Sequence, residues 1–172
     1  LCDPGDIMLA PNPGYPVFSL GPQLAGAKIE TYPLHAENNF LPRFEDIPAE
    51  TVRAAKFMIV SYPSNPVCSV ADDAFYEELI AFAKKYNIII LHDNAYSDII
   101  YDGREGKSFL SYPGAKEVGI EFYSLSKSYN MTGMRMSFAV GNREIIREFS
   151  KVRSQIDYGI FLPIQMAAVA AL

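Results

Sequence analysis

"DDAFYEELIAFAKKYNIIILHD", residues 72 to 93, decides the fold. Its first part repeats apolar side chains at Phe75, Leu79, Phe82, Ala83 and Tyr86, the spacing of one helix face. Asp72 stands where an N-cap is expected, and Lys84 and Lys85 fall in the last turn, where cations suit the carbonyl end of a helix. The pattern predicts a helix over 72–87. The period then disappears. "IIILHD" (88–93) is a continuous β-branched run, which suits a strand covered on both faces.

Working outward, "KFMIVSYP" (56–63) reads as the strand before this helix, stopped by Pro63. Further back, "DIMLAP" (6–11) is an apolar run between the turn clusters "DPG" and "NPGYP", and "AKIETYPL" (27–34) alternates as a strand does. Downstream, "GIEFYSLS" (119–126) and "MSFAVG" (136–141) read as strands and "REIIREFSKVRSQI" (143–156) as an amphipathic helix. Strand, helix, strand at this spacing means crossover units. The predicted fold class is therefore α/β, three layers around a mostly parallel sheet. The short link between the last two strands allows one antiparallel pair. Residues 34–50, with Pro42, Pro48 and mixed charges, read as a surface connection holding at most a short helix.

Composition narrows the function. A chain of 172 residues, 49% apolar and 20% charged, suits one ordinary globular domain. A net charge of −5 with no basic stripe argues against nucleic acid. No apolar run is long enough to span a membrane. Two cysteines, Cys2 and Cys68, and two histidines make neither a disulfide framework nor a zinc site, and a reduced, cytoplasmic setting is expected. The first residue is Leu1, so a missing leader carries little weight.

The unusual polar residues fall at strand ends. "SYPSNP" puts Asn65 just beyond the carboxyl end of one strand, and "LHDNAYSD" puts Asp93 and Tyr96 at the end of the next. "YSLSK" puts Ser124, Ser126 and Lys127 at the end of a third, with Arg135 close behind. Each has an ordinary structural explanation: a turn asparagine, a capping aspartate, a solvated lysine, turn serines, an arginine in a weak surface pair. Together at one sheet edge they are better explained as a binding crevice, because loops at the carboxyl ends of parallel strands converge there.

These segments resemble those of the fold-type-I pyridoxal-phosphate enzymes, the class I/II aminotransferases. "SYPSNPVCSV" resembles the family's Asn-Pro-Thr-Gly segment, "HDNAYSDIIYDG" its Asp-x-x-Tyr segment, and "SLSKSYNMTGMRMSFAVGN" its Ser-x-Ser-Lys…Gly-x-Arg segment. The last, with "GIFLPIQMAAVAAL", is most similar to the LL-diaminopimelate, alanine and aspartate aminotransferase branch. The resemblance implies pyridoxal 5'-phosphate as cofactor. Lys127 would carry it as an imine and, once displaced by an amino acid, shuttle the proton from Cα. Asp93 would pair with the ring nitrogen, Asn65 and Tyr96 would bond the ring oxygen, and Ser124, Ser126 and Arg135 would hold the phosphate. Tyr15 matches an aromatic position beside the ring. Expected substrates are an amino acid and a 2-oxo acid, and the expected assembly is a homodimer. His92, one residue from Asp93 on a strand, points the opposite way and reads as structural. Tyr123, Tyr129 and Tyr158 read as packing residues.

Two departures from the family pattern stand out. Val67 and Cys68 replace the usual Thr-Gly, which strains the loop if its backbone needs positive φ. Residues 1–172 also match only the central part of the large, cofactor-binding domain. On this reading the N-terminal segment and the small C-terminal domain are absent, and the fragment alone is inactive. A carbon–sulfur β-lyase and the effector-sensing domain of a transcription regulator are the competing functions, since both keep the same large domain.

Overall fold

The computed structural model describes residues 1–101 and 103–172. Six strands form one sheet, β1 (Ile7–Asn12), β2 (Lys28–Pro33), β3 (Ala55–Ser61), β4 (Ile89–Asn94), β5 (Gly119–Ser124) and β6 (Ser137–Gly141), in the order β2-β1-β3-β4-β5-β6. Every neighbouring pair from β2 through β5 is parallel, and β5–β6 is antiparallel, as the short link between them allows. The chain runs from β1 outward to β2 and then returns to β3 on the other side of β1. Strand order reverses there, so loops leaving β1 and β3 diverge and open a crevice at their carboxyl ends.

The helices are α1 (Val17–Leu24), α2 (Ala49–Ala54), α3 (Asp73–Tyr86), α4 (Ala115–Val118), α5 (Leu125–Ser128), α6 (Arg143–Ile156) and α7 (Leu162–Ala171). The Asp72 carboxylate caps α3 by accepting from Phe75 N at 2.9 Å, and Asn87 ends it in the left-handed region at φ 55°. Its apolar face, Phe75, Tyr76, Leu79, Phe82 and Ala83, is buried over Leu9, Met58, Val60 and Ile90 of the sheet. On the opposite face, Phe149 of α6 meets Phe122 of β5 edge-on at 6.0 Å. The predicted three layers are thus present.

Two expectations need correction. Residues 34–50 are not merely a surface connection, because Leu34, Phe44 and Ile47 are buried. The Phe44 ring stacks on Phe82 at 4.4 Å, so an irregular segment supplies part of the core; its apolar residues follow no period and leave no pattern to read. The strand expected to run to residue 126 stops at Ser124. The Ser124 hydroxyl accepts from Ser126 N at 3.2 Å and starts the single turn of α5 instead.

Candidate functional site

Loops leaving four parallel strands meet at one cleft of about 340 Å³. After β1 comes Tyr15, held edge-on to the buried Phe18 with centroids 5.7 Å apart. After β3 comes Asn65, in a loop closed by Cys68 N donating to Ser64 O at 2.8 Å and Ser64 N to Ser69 O at 2.9 Å. Asp93 is the next-to-last residue of β4, and Tyr96 lies two residues past its end. Ser124 ends β5; Ser126 and Lys127 lie on α5, and Arg135 follows a short 3-10 turn. All of these line the cleft, together with Ala95 and Thr132. The structure therefore brings together every site residue expected from the sequence, Tyr15 included.

Alternation along β4 sorts its polar residues. His92 and Asn94 face the α3 side and are buried, whereas Asp93 faces the cleft and is half-buried. Asp93 is acted on by little else: burial pushes its carboxyl above the usual carboxylate range, and the charge of His92 opposes this without reversing it. His92 has a different task. Its Nδ1 lies 2.9 Å from Glu121 Oε2, directly across the strand pair, and its Nε2 is 3.3 Å from the Tyr76 hydroxyl. Glu121 also accepts from Ser108 Oγ and from Phe109 N, each at 2.8 Å. Burial is the largest single influence on the Glu121 carboxyl and raises it, but the bond and charge of His92 and the bond from Ser108 together outweigh it, and the group stays below its ordinary value. His92 is fully buried in this network, as its reading as a structural residue implied.

The cleft also carries two cationic residues, Lys127 and Arg135. Lys127 Nζ lies over the Tyr96 ring, 6.0 Å from its centroid. Arg135 gives one bond to Thr132 O at 2.9 Å, and Thr132 Oγ1 donates to Ser126 O at 2.8 Å, which folds the 126–135 loop back on itself. Among the described residues neither Lys127 nor Arg135 forms an ion pair. A carboxylate, an amine and a guanidinium therefore line one cleft, and none of them forms an ion pair among the described residues. The matching ligand is anionic at one end and cationic at the other.

The loop departure at Cys68 is also visible. This residue takes φ 57°, the left-handed region in which a side chain costs energy and glycine does not. Sequence reasoning passed over Thr132, although it lies inside the quoted 124–135 stretch, and it passed over Asp98. Tyr123 both packs, with its ring 5.1 Å from Phe138, and donates its hydroxyl to Asp98. Tyr158 is fully exposed and Tyr129 is 37% exposed, so neither packs as expected. Around Tyr158, Ile156 and Phe161 also face outward. Among the described residues no group of His, Cys, Asp and Glu could hold a metal, and no helix is long and apolar enough to cross a membrane.

A mostly parallel sheet with its crevice at the strand-order reversal, lined by charges of both signs, is that of an open α/β protein. The chain belongs to the aminotransferase class I and II family, whose model matches residues 1–172. It is 51% identical over 170 residues to the LL-diaminopimelate aminotransferase of Moorella thermoacetica, covering 99% of this chain and 44% of the relative. Among solved structures it is similar to substrate-bound BacF from Bacillus subtilis (TM-score 0.96, 46% identity, 99% of this chain and 43% of that one). It is also similar to a probable N-succinyldiaminopimelate aminotransferase from Thermus thermophilus (TM-score 0.90, 35% identity, 95% of this chain and 44% of that one). The chain thus spans less than half the length of the relatives it matches.

Proposed function

We propose that residues 1–172 are the central part of the cofactor-binding large domain of an aminotransferase, and that their cleft holds pyridoxal 5'-phosphate. One observation carries this reading: the Asp93 carboxylate, Lys127 and Arg135 line a single cleft, and none of them forms an ion pair among the described residues. Pyridoxal phosphate fits that polarity, with a basic ring nitrogen at one end and a dianionic phosphate at the other. When bound, it supplies an aldehyde that links to amines and a ring that withdraws electrons from the attached carbon.

The roles of the side chains follow from their places. Lys127 Nζ would hold the cofactor covalently and, once released, take the proton from the substrate's Cα. Asp93, whose burial disfavours its lone charge, would keep the ring nitrogen protonated, because an opposite charge at hydrogen-bond distance is what this carboxylate lacks. Arg135 would clamp the phosphate with two parallel donors, and the hydroxyls of Ser124 and Ser126 would add shorter contacts. Asn65 and Tyr96 would bond the ring oxygen, and Tyr15 would cover the ring. Substrates would be an amino acid and a 2-oxo acid, and the names of the relatives make LL-diaminopimelate the first donor to try. The working protein would be a cytoplasmic homodimer.

The test is an absorption titration of the full-length protein with pyridoxal phosphate, with and without Lys127→Ala. A visible band that depends on Lys127, and that is discharged by an amino-acid donor and restored by a 2-oxo acid, is the expected result. A band indifferent to Lys127 would refute the proposal. Release of ammonia without need of a 2-oxo acid would replace amino transfer with elimination.

A further inference from the structure

We infer that Asp98 is a positioning residue, a carboxylate clamp that holds the turn carrying Lys127 against the turn carrying Tyr96. This rests on the cofactor reading above and adds a residue to it.

The need for a clamp comes from the fold. Strands β4 and β5 deliver Asp93 and Lys127 to the site separately, and their paired register ends at Asn94–Tyr123. Lys127 lies beyond that point, on a helix of a single turn that cannot be stable by itself. Other hydrogen bonds steady that turn: Ser126 N to Ser124 Oγ, Thr132 Oγ1 to Ser126 O, Leu125 N to Met136 O at 3.3 Å, and the backbone N–H groups of Tyr129, Asn130 and Met131 to Leu125 O or Lys127 O. All of these stay within residues 124–136. None reaches the β4 side of the cleft.

Asp98 does reach across. It lies in the turn that Ile99 N closes onto Tyr96 O at 2.9 Å, so its position is fixed relative to the Tyr96 ring. One carboxylate oxygen, Oδ2, accepts from the Ser128 hydroxyl at 2.6 Å, immediately after Lys127, and also from the Tyr123 hydroxyl. Burial first, and then the bond to Asp98, hold the Tyr123 phenol above its ordinary range, so it keeps the proton it donates. Bonds to an ionised acceptor are about twice as strong as neutral ones, so even an exposed carboxylate gathers these hydroxyls effectively. The clamp sets the span between Lys127 and the Asp93–Tyr96 segment, which is the dimension a bound ring must match. Misplacement by about 1 Å is costly at such a site.

The experiment compares Asp98→Ala, Asp98→Asn and Ser128→Ala in the full-length protein. It reads the dissociation constant for pyridoxal phosphate, the pH midpoint of the Lys127-dependent absorption band, and urea unfolding of the cofactor-free form. Asp98→Ala should weaken cofactor binding about tenfold and move the pH midpoint while the urea midpoint stays put. Asp98→Asn, which keeps an acceptor oxygen, should recover most of the affinity, and Ser128→Ala should add little on top of Asp98→Ala. Unchanged affinity and pH midpoint in Asp98→Ala would overturn the inference. So would a loss of affinity matched by an equal loss of folding stability, which would make Asp98 structural only. A wild-type protein with no Lys127-dependent band would instead overturn the cofactor reading, and that control separates the two failures.

Discussion

Asp93→Asn should make the cofactor-free protein more stable and the cofactor-loaded protein less so. The carboxylate is half-buried, and burial is the leading influence on it, raising its pKa above the ordinary value. A folded state that holds a proton more tightly than the unfolded chain gives an unfolding free energy that falls as pH rises between the two pKa values. At neutral pH the ionised Asp93 is therefore a net cost to the fold. A buried polar group without a partner costs about 1–3 kcal/mol, and partial exposure puts Asp93 at about 1 kcal/mol. In the full-length protein, on the relatives' scale more than twice this chain's length, that is a rise in Tm of about 1 °C for the amide variant.

Thermal melts of the full-length protein and Asp93→Asn, stripped of cofactor, would measure the difference at several pH values. The gap should be widest near neutral pH and close on acidification below the unfolded aspartate value of about 3.9, where both side chains are uncharged. Adding pyridoxal phosphate should reverse the order, because a ligand stabilises only the form that binds it, and the amide cannot hold the ring nitrogen's proton. The reasoning is refuted if the cofactor-free amide variant melts below wild type at neutral pH. That result would give Asp93 a structural partner within the fold.

Other expectations concern the surroundings of the cleft. Glu121→Gln should cost about 3 kcal/mol at neutral pH, since it unpairs the buried His92 and weakens the bonds from Ser108 and Phe109 N. Because the folded Glu121 carboxyl lies below its usual value, its stabilisation is present above the unfolded pKa and lost as pH falls through the folded one. Urea unfolding should therefore show the variant and wild type converging in acid, and a constant gap would contradict that sign. Cys68→Gly should leave the unfolding free energy in urea within about 0.5 kcal/mol of wild type, whereas Cys68→Val should lower it by about 1 kcal/mol or more. Equal behaviour of the two variants would mean that the left-handed backbone at residue 68 costs nothing.

How much of this could be read from the sequence depends on whether residues repeat. Helix α3 and strands β3 and β4 follow their periods and match the structure to within a residue or two at their ends. Helix α1 contains Gly21 and Pro22, which read as turn residues; it forms nonetheless because Phe18 is buried. Helix α7 is apolar all round, so no face declares itself, and Phe161, Leu162 and Met166 remain exposed. The Asp98 bridge joins residues 30 apart in the chain, a separation that local pattern cannot detect.

The cleft itself was legible for a different reason. Parallel strands sort their ends, so a polar residue placed just past an apolar strand is assigned to one edge before any packing is known. Parity then separates neighbours that composition treats alike. His92 and Asp93 are both titratable, adjacent and flanked by apolar residues, yet the two-residue repeat sends one into a closed network and the other into the cleft. His92 is satisfied: Glu121 and Tyr76 take both ring nitrogens, and the pair ties β4 to β5 behind the site. Among the described residues Asp93 is left without such partners, at a cost to the fold, in the cleft where Lys127 and Arg135 also form no ion pair. A fold keeps such a charge when something outside it completes the pair. On the proposed function, Asp93, not the better-bonded His92 beside it, is therefore the residue through which this strand would act on the ligand.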